Sequence, residues 1–194
     1  GANIHLMEIN SNFILKQKNN LAQYQKDITW IDDINQIPKL PTILIANEFF
    51  DALPIKQYMK VKDKWFEQIM VTDPIDGRIK YDKMQLYQLL QTQLFIDHKN
   101  AQDGAIIEES LESLEIIRVF SAHIKKHRGA GLIIDYGYDI EPSDRSRKQY
   151  NSTLQAVKTH QYHSVIDSLG EADLTAHVDF NALKKAAAEK LVKD

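Results

Sequence analysis

The sequence predicts an open α/β fold built on a parallel β-sheet, and three features predict it. The run Ile43-Leu44-Ile45-Ala46 is short, apolar and β-branched, as in strands buried on both faces of a parallel sheet. It gives way at once to Asn47, Glu48, Phe49, Phe50 and Asp51, and Pro54, which lacks an amide donor, discourages continuation as a central strand. A long amphipathic segment from Leu111 to His127 then leads through Gly129 into a second apolar run, Leu132-Ile133-Ile134, the order of a crossover helix feeding a parallel strand. Finally, Glu8, Asp32, Glu48, Asp51 and Asp135 each fall at or just beyond the end of an expected strand. Ligands of open α/β sheets lie outside those carboxyl ends.

Taken in order, Ile4 to Ile9 makes a short strand ending near Glu8, and Asn10 or Ser11 can cap a polar helix containing Phe13, Ile14 and Leu21. Ile28-Thr29-Trp30-Ile31 is strand-like and Asp32-Asp33 stops it; Trp30 suits the core better than a stacking platform. After Asn47 to Pro54 the pattern alternates through Ile55 to Val61, turns at Asp63-Lys64 and continues through Trp65 to Val71, an antiparallel hairpin. Asp76-Gly77 adds a turn and Arg78 to Tyr81 a third short strand, so residues 55–82 read as a β-meander inserted into the α/β chain.

Leu86, Leu89, Leu90 and Leu94 fall near helical spacing and predict a helix over Met84 to Phe95. Ala105 to Ser110 is a brief strand running into a cap. Basic Lys125, Lys126, His127 and Arg128 close the long helix, with Gly129-Ala130-Gly131 as its stop and a turn. Glu141 to Ser152 is charged and polar and reads as a mobile loop, Leu154 to Val157 resumes strand character, and His160 to Gly170 reads as a loop with one helical turn. Asp173 to Val178 is extended, and Asp179 caps a last helix running to Leu191.

Composition narrows the function classes. A chain of 194 residues with 43% hydrophobic and 26% charged residues fits one globular domain, with or without an insertion. Its net charge of −3 argues against broad attraction to nucleic acid or an anionic membrane. No apolar run approaches the roughly 20 residues of a membrane span. The absence of cysteine excludes thiolate catalysis, disulfides and cysteine-ligated zinc, and is compatible with a reducing compartment. There is no Gly-x-Gly-x-x-Gly and no Walker loop, and Gly129-Ala130-Gly131 follows a helix, the wrong order for a phosphate cradle. His123 and His127 lie four apart but no glutamate follows His123, and His160 and His163 lack a third ligand, so no metal is expected.

Four motifs in order carry a resemblance. Leu6-Met7-Glu8-Ile9-Asn10-Ser11, Asn47-Glu48-Phe49-Phe50-Asp51-Ala52-Leu53-Pro54, Ile134-Asp135-Tyr136-Gly137-Tyr138 and Gly170 through Phe180 resemble the signatures of the MidA-like family of S-adenosylmethionine-dependent methyltransferases. That family includes the mitochondrial complex I assembly methyltransferase, an arginine methyltransferase. The resemblance implies a Rossmann-like class I methyltransferase sheet with S-adenosylmethionine as cofactor. Glu8 would hold the ribose hydroxyls, Asp32 the adenine edge and Asn47 the methionine portion. Glu48, Asp51 and Asp135 would form the catalytic group facing the acceptor, with Tyr136 and His177 lining the substrate side. Paired carboxylates suit a guanidinium, which offers a planar fork of donors. His177 can equally be a buried, satisfied histidine, and Asp179 an ordinary helix cap.

The implied partner is a protein substrate, a respiratory complex I subunit among the candidates. The implied location is the cytoplasm for a bacterial chain and the mitochondrial matrix for a eukaryotic one. The family's glycine-rich first motif lies upstream of Glu8 and is absent from these residues. The chain also opens Gly1-Ala2 without a methionine. The expectation is therefore a single methyltransferase domain over 1–194, truncated at its N-terminus and lacking the first strand of its sheet, which binds the cofactor weakly or not at all by itself. The rival expectation is a non-catalytic assembly module whose cleft has decayed and whose inserted hairpin meets a partner.

Overall fold

A computed structural model describes residues 2–159 and 161–191. In chain order the elements are β1 (Ile4–Met7), α1 (Ser11–Asn20), β2 (Ile28–Ile31), β3 (Thr42–Asn47), β4 (Lys56–Val61), β5 (Lys64–Thr72), β6 (Ile79–Gln85), α2 (Gln88–Asp97), β7 (Ile106–Glu109), α3 (Leu111–His127), β8 (Gly129–Ile134), β9 (Gly137–Tyr138), β10 (Gln155–Lys158), β11 (Gln161–His163), β12 (Asp173–Thr175), β13 (Val178–Asp179) and α4 (Phe180–Leu191). The parallel pairing expected of the fold is present: β1 pairs with β2, β3 with β8 and β9 with β13. In each pair the carboxyl ends lie side by side, which positions the candidate site.

Local chemistry accounts for the helix ends. The Asn10 side chain accepts from the amides of Asn12 and Phe13, at 2.9 and 3.3 Å, and starts α1; Ser110 accepts from the amide of Ser113 and starts α3. Asp179 accepts from the amide of Ala182 at 3.0 Å and starts α4. Helix α3 stops where Arg128 turns to a positive φ of 71°. Gly129-Ala130-Gly131 then opens β8 at once, so these residues form a strand and not the expected turn. The backbone of β3 approaches so closely that a Cβ on Gly129 would lie 2.0 Å from the carbonyl oxygen of Thr42.

One core lies where α3 and α4 pack beneath β3 and β8: Ile116, Ile117, Leu183 and Ala186 from the helices meet Ala46, Phe50 and Val178. The opposite face is open. Ile43 and Ile45 are 78% and 70% exposed, beside exposed Leu132 and Ile134. Burial on both faces, expected from the apolar run, is thus not observed, because α3 covers only the face carrying Leu44, Ala46 and Ile133. Residues of β1 and β3 also line a slot of about 740 Å³, and among the described residues no strand pairs with either across it.

The antiparallel part is larger than the 55–82 meander expected. Its strand order is β6-β5-β4-β7, so β7 returns from residue 106 to complete it. Met84 and Gln85 belong to β6, and the helix begins only at Gln88. A second core of Tyr58, Trp65, Leu94 and Ile107 seals this sheet against α2. Tyr150 joins that core and Arg145 is buried, so residues 141–152 are a packed double turn rather than a mobile loop. The stretch expected as a loop after His160 contains β11.

Candidate functional site

The site begins at the end of the β1–β2 pair. The amide of Glu8 continues the ladder, donating to the carbonyl of Ile31 at 3.0 Å, so Glu8 and Asp32 leave neighbouring strands at one level. Glu8 Oε1 accepts from the amide of Asn10 at 2.8 Å. Asp32 Oδ1 accepts from Gln36 Nε2 at 2.6 Å, while its own amide donates to Gln36 Oε1. Each carboxylate is thereby oriented through one oxygen. Trp30 donates from its ring to Gln17 at 2.9 Å, tying β2 to α1; it is half-buried and lies outside both cores, so it is not the core residue expected.

The second group stands at the end of β3 and β8. Asn47 is in register with Ile134, and the amide of Glu48 donates to the carbonyl of Ile134 at 2.9 Å. Glu48 then takes a left-handed φ of 47°, unusual for a residue with a β-carbon, and this turns the chain sharply. Asp135 holds that turn. Its Oδ2 accepts from the amides of Phe50 and Asp51, at 3.0 and 3.3 Å, and its Oδ1 from the amide of Tyr136 at 2.9 Å. Both oxygens of Asp135 are thus held by backbone amides of the two turns.

The last strand region closes onto the same turn. The amide of Ala176 donates to the carbonyl of Asp51 at 2.9 Å and that of Val178 to the carbonyl of Tyr136 at 2.8 Å. His177 therefore sits between the two strand ends, its amide held by Thr153 Oγ1. Its side chain is exposed, as is that of Tyr136, so the buried-histidine alternative does not hold. Glu48, Asp51, Asp135, Tyr136 and His177 come together on one rim. Partial burial, then the charges of Asp135 and Glu48, raise the carboxyl of Asp51 above its ordinary value.

The two groups share a border. Met7, Ile31 and Ala46, the residues just before Glu8, Asp32 and Asn47, all line the slot between β1 and β3, together with Phe49 and Phe50. Glu8, Asp32 and Asn47 thus stand one residue beyond the wall of that slot, while none of the five acids expected to converge lines it.

Some expected chemistry resolves into structure. Asp179 caps α4 and its Oδ2 pairs with Nη2 of buried Arg145, the ordinary alternative for that residue. His123 Nε2 lies 2.9 Å from the carbonyl of Leu40 and 3.0 Å from Thr42 Oγ1, pinning α3 to β3. Among the described residues no group of three His, Cys, Asp or Glu side chains could hold a metal ion; His160 lies outside them. Sequence reasoning missed Arg145, His98 and Glu108. Arg145 sits 4.9 Å from the ring of Tyr138, whose hydroxyl is pushed up to about 12 chiefly by burial. The buried Glu108 accepts from Gln57, Ser152, Thr153 and Leu154, joining the antiparallel sheet to the segment beside His177.

Comparisons with known proteins agree with this architecture. Among solved structures, a COG1565 superfamily member from Burkholderia thailandensis, bound to S-adenosyl-homocysteine, superposes with a TM-score of 0.78 at 20% identity, over 96% of this chain and 48% of that one. At that identity the likeness speaks to the fold. The protein arginine methyltransferase NDUFAF7 of Xenopus laevis is 32% identical over 173 residues, 89% of this chain and 37% of the relative. The human protein of the same name is 30% identical over 165 residues, 84% of this chain and 35% of the relative. The chain thus spans little more than a third of the length of the curated relatives it matches. The family model Methyltransf_28, an S-adenosyl-L-methionine-dependent methyltransferase, matches residues 1–193. The chain belongs to this MidA-like family of S-adenosylmethionine-dependent methyltransferases.

Proposed function

We propose that the protein carrying this chain transfers a methyl group from S-adenosylmethionine to an arginine side chain of a protein substrate. The observation that carries this reading is the meeting of Glu48, Asp51 and Asp135 on one rim, with the carboxyl of Asp51 raised by burial and by its two acidic neighbours. The relatives' name, protein arginine methyltransferase, supports the acceptor. The family resemblance adds a respiratory complex I subunit as the candidate substrate. A eukaryotic chain would then act in the matrix and a bacterial one in the cytoplasm.

The residues present fit the cofactor. Glu8 and Asp32 offer carboxylates side by side, oriented through one oxygen each. By the family resemblance Glu8 takes the ribose, whose vicinal diol can donate two hydrogen bonds to a carboxylate, Asp32 the exocyclic amine of adenine and Asn47 the methionine end. When bound, S-adenosylmethionine supplies an electrophilic methyl on a positively charged sulfur. The chain supplies position and charge. Glu48 and Asp51 receive the N–H edges of the guanidinium, and their charges favour nucleophilic character on one of its nitrogens. Asp135 keeps the Glu48–Asp51 turn in place through backbone amides. The raised affinity of Asp51 for a proton suits it to accept one from the acceptor nitrogen.

Incubation of the protein with labelled S-adenosylmethionine and cell extract tests the reading. Label recovered as methylarginine from a protein band is the expected result. Label confined to low-mass material would reject a protein acceptor, and no transfer to any fraction would favour the assembly-module alternative.

A further inference from the structure

A run of hydrogen bonds leads from the antiparallel sheet to the acceptor rim and passes through the hydroxyl of Thr153. That hydroxyl donates to Glu108 Oε2 at 2.5 Å and accepts from the amide of His177 at 2.8 Å. Glu108 Oε1 takes Gln57 Nε2 at 2.7 Å and the amides of Thr153 and Leu154 at 3.0 and 3.2 Å. Gln57 Oε1 in turn accepts from Gln68 Nε2 at 3.2 Å, so the run starts on β5 and crosses β4 and β7. Glu108 and Gln57 are buried. A hydroxyl has one hydrogen and a carboxylate only accepts. With that hydrogen committed to Oε2, Thr153 turns a lone pair towards His177, in a direction that Glu108 sets.

Strand register explains why a side chain makes this link. β10 and β12 pair antiparallel with Gln155 opposite Thr175. Two residues further along each strand Thr153 faces His177, but there the Thr153 amide has turned to Glu108, and its hydroxyl stands in for a ladder acceptor. On either side of His177 the links run backbone to backbone, from Ala176 to the carbonyl of Asp51 and from Val178 to that of Tyr136. Ala176 and Val178 are buried, and His177 between them is exposed. Three successive amides are thus anchored to three different segments. The middle anchor is the one that a point substitution removes while leaving the backbone unchanged.

We propose that Thr153 is a positioning residue for the acceptor: its hydroxyl, oriented by Glu108, fixes where His177 presents its ring to the polypeptide that bears the arginine. The effect on the acceptor rests on the methyl-transfer reading. The hold on His177 does not, and is measured without a methyl donor.

The test compares Thr153→Val, which keeps the shape and loses the hydroxyl, with Thr153→Ser, which keeps the hydroxyl. In the ¹⁵N-labelled protein, hydrogen exchange of the His177 amide should quicken about tenfold or more in Thr153→Val and stay within about threefold of the parent in Thr153→Ser. In methyl transfer from labelled S-adenosylmethionine, the amount of extract protein giving half-maximal transfer should rise about tenfold in Thr153→Val, with the maximal rate within about threefold, and Thr153→Ser should restore it. His177→Ala separates positioning from general loosening: if Thr153 acts through His177, adding Thr153→Val to it costs nothing further, whereas independent losses multiply. Unchanged exchange of the His177 amide in Thr153→Val, or multiplied losses in the double variant, would overturn the proposal. If Thr153→Val does not fold, the parent decides: a Thr153 hydroxyl proton protected from exchange is expected, and a freely exchanging one overturns the proposal. Absence of transfer by the parent would reject the methyl-transfer reading and the effect on the acceptor with it, while the exchange rates still decide whether Thr153 holds His177.

Discussion

Replacing Asp135 by alanine is the sharpest perturbation of the rim that leaves every other side chain in place. The Asp135 carboxylate accepts from the amides of Phe50, Asp51 and Tyr136 at 3.0, 3.3 and 2.9 Å. A bond to a buried charged acceptor is worth about 1.5–3 kcal/mol, but this side chain is half-buried and water can partly replace it. About 1 kcal/mol for each bond gives a loss of about 3 kcal/mol, or about 6–12 °C in Tm for a chain of this size. Asp135→Asn keeps one acceptor oxygen and should lose about half as much. The same substitutions remove a negative neighbour from Asp51, so its carboxyl should titrate lower, nearer the ordinary 3.8. Thermal and urea unfolding, with a carboxyl titration followed by NMR, measure both effects. A Tm within about 2 °C of the parent together with an unchanged Asp51 titration would refute the role given to Asp135.

Glu108→Ala should cost about 3–5 kcal/mol in urea unfolding, because it strands the donors of Gln57, Ser152, Thr153 and Leu154 in a largely buried site. Gly129→Ala should destabilise by more than about 2 kcal/mol, since its methyl would meet the Thr42 carbonyl at 2.0 Å. His98, held near 4 instead of 6.5, is bound by more protons in the unfolded than in the folded chain between those values. Stability should therefore be undiminished above pH 6.5 and fall as the pH drops towards 4, by up to about 3 kcal/mol. His98→Phe should flatten that part of the stability profile, and an unchanged profile would show that the ring is not held neutral.

Strand ends were the most legible feature of the sequence. The switch from Ile43–Ala46 to Asn47–Asp51 is a change of residue type at a fold boundary, and the register of β3 with β8 then brings Asp135 beside Glu48. Caps at Asn10, Ser110 and Asp179 were legible for a similar reason, because each shows its own local hydrogen-bonding chemistry. What could not be read depends on partners distant in sequence. β7 joins β4 across some fifty intervening residues, and nothing in Ile106–Glu109 names that partner. The burial of Arg145 in a charged, polar segment leaves no periodic trace, since it is driven by Asp179 and Tyr138. Residues of β6 are all exposed and show no alternation, so the leucines that follow drew the expected helix start back to Met84. The open face at Ile43 and Ile45 was illegible too, because an apolar residue in a strand carries no record of whether a second layer covers it.

The central claim, that Glu48 and Asp51 orient a cationic acceptor, is tested most directly by methyl transfer in isosteric variants. Glu48→Gln and Asp51→Asn keep size and hydrogen-bonding reach while removing the charge. Given the protein, labelled S-adenosylmethionine and the same extract, transfer to the protein band should fall by about tenfold or more in each, the equivalent of about 1.4 kcal/mol of lost orientation, with Tm little changed. Transfer at the parent rate in both variants would contradict it.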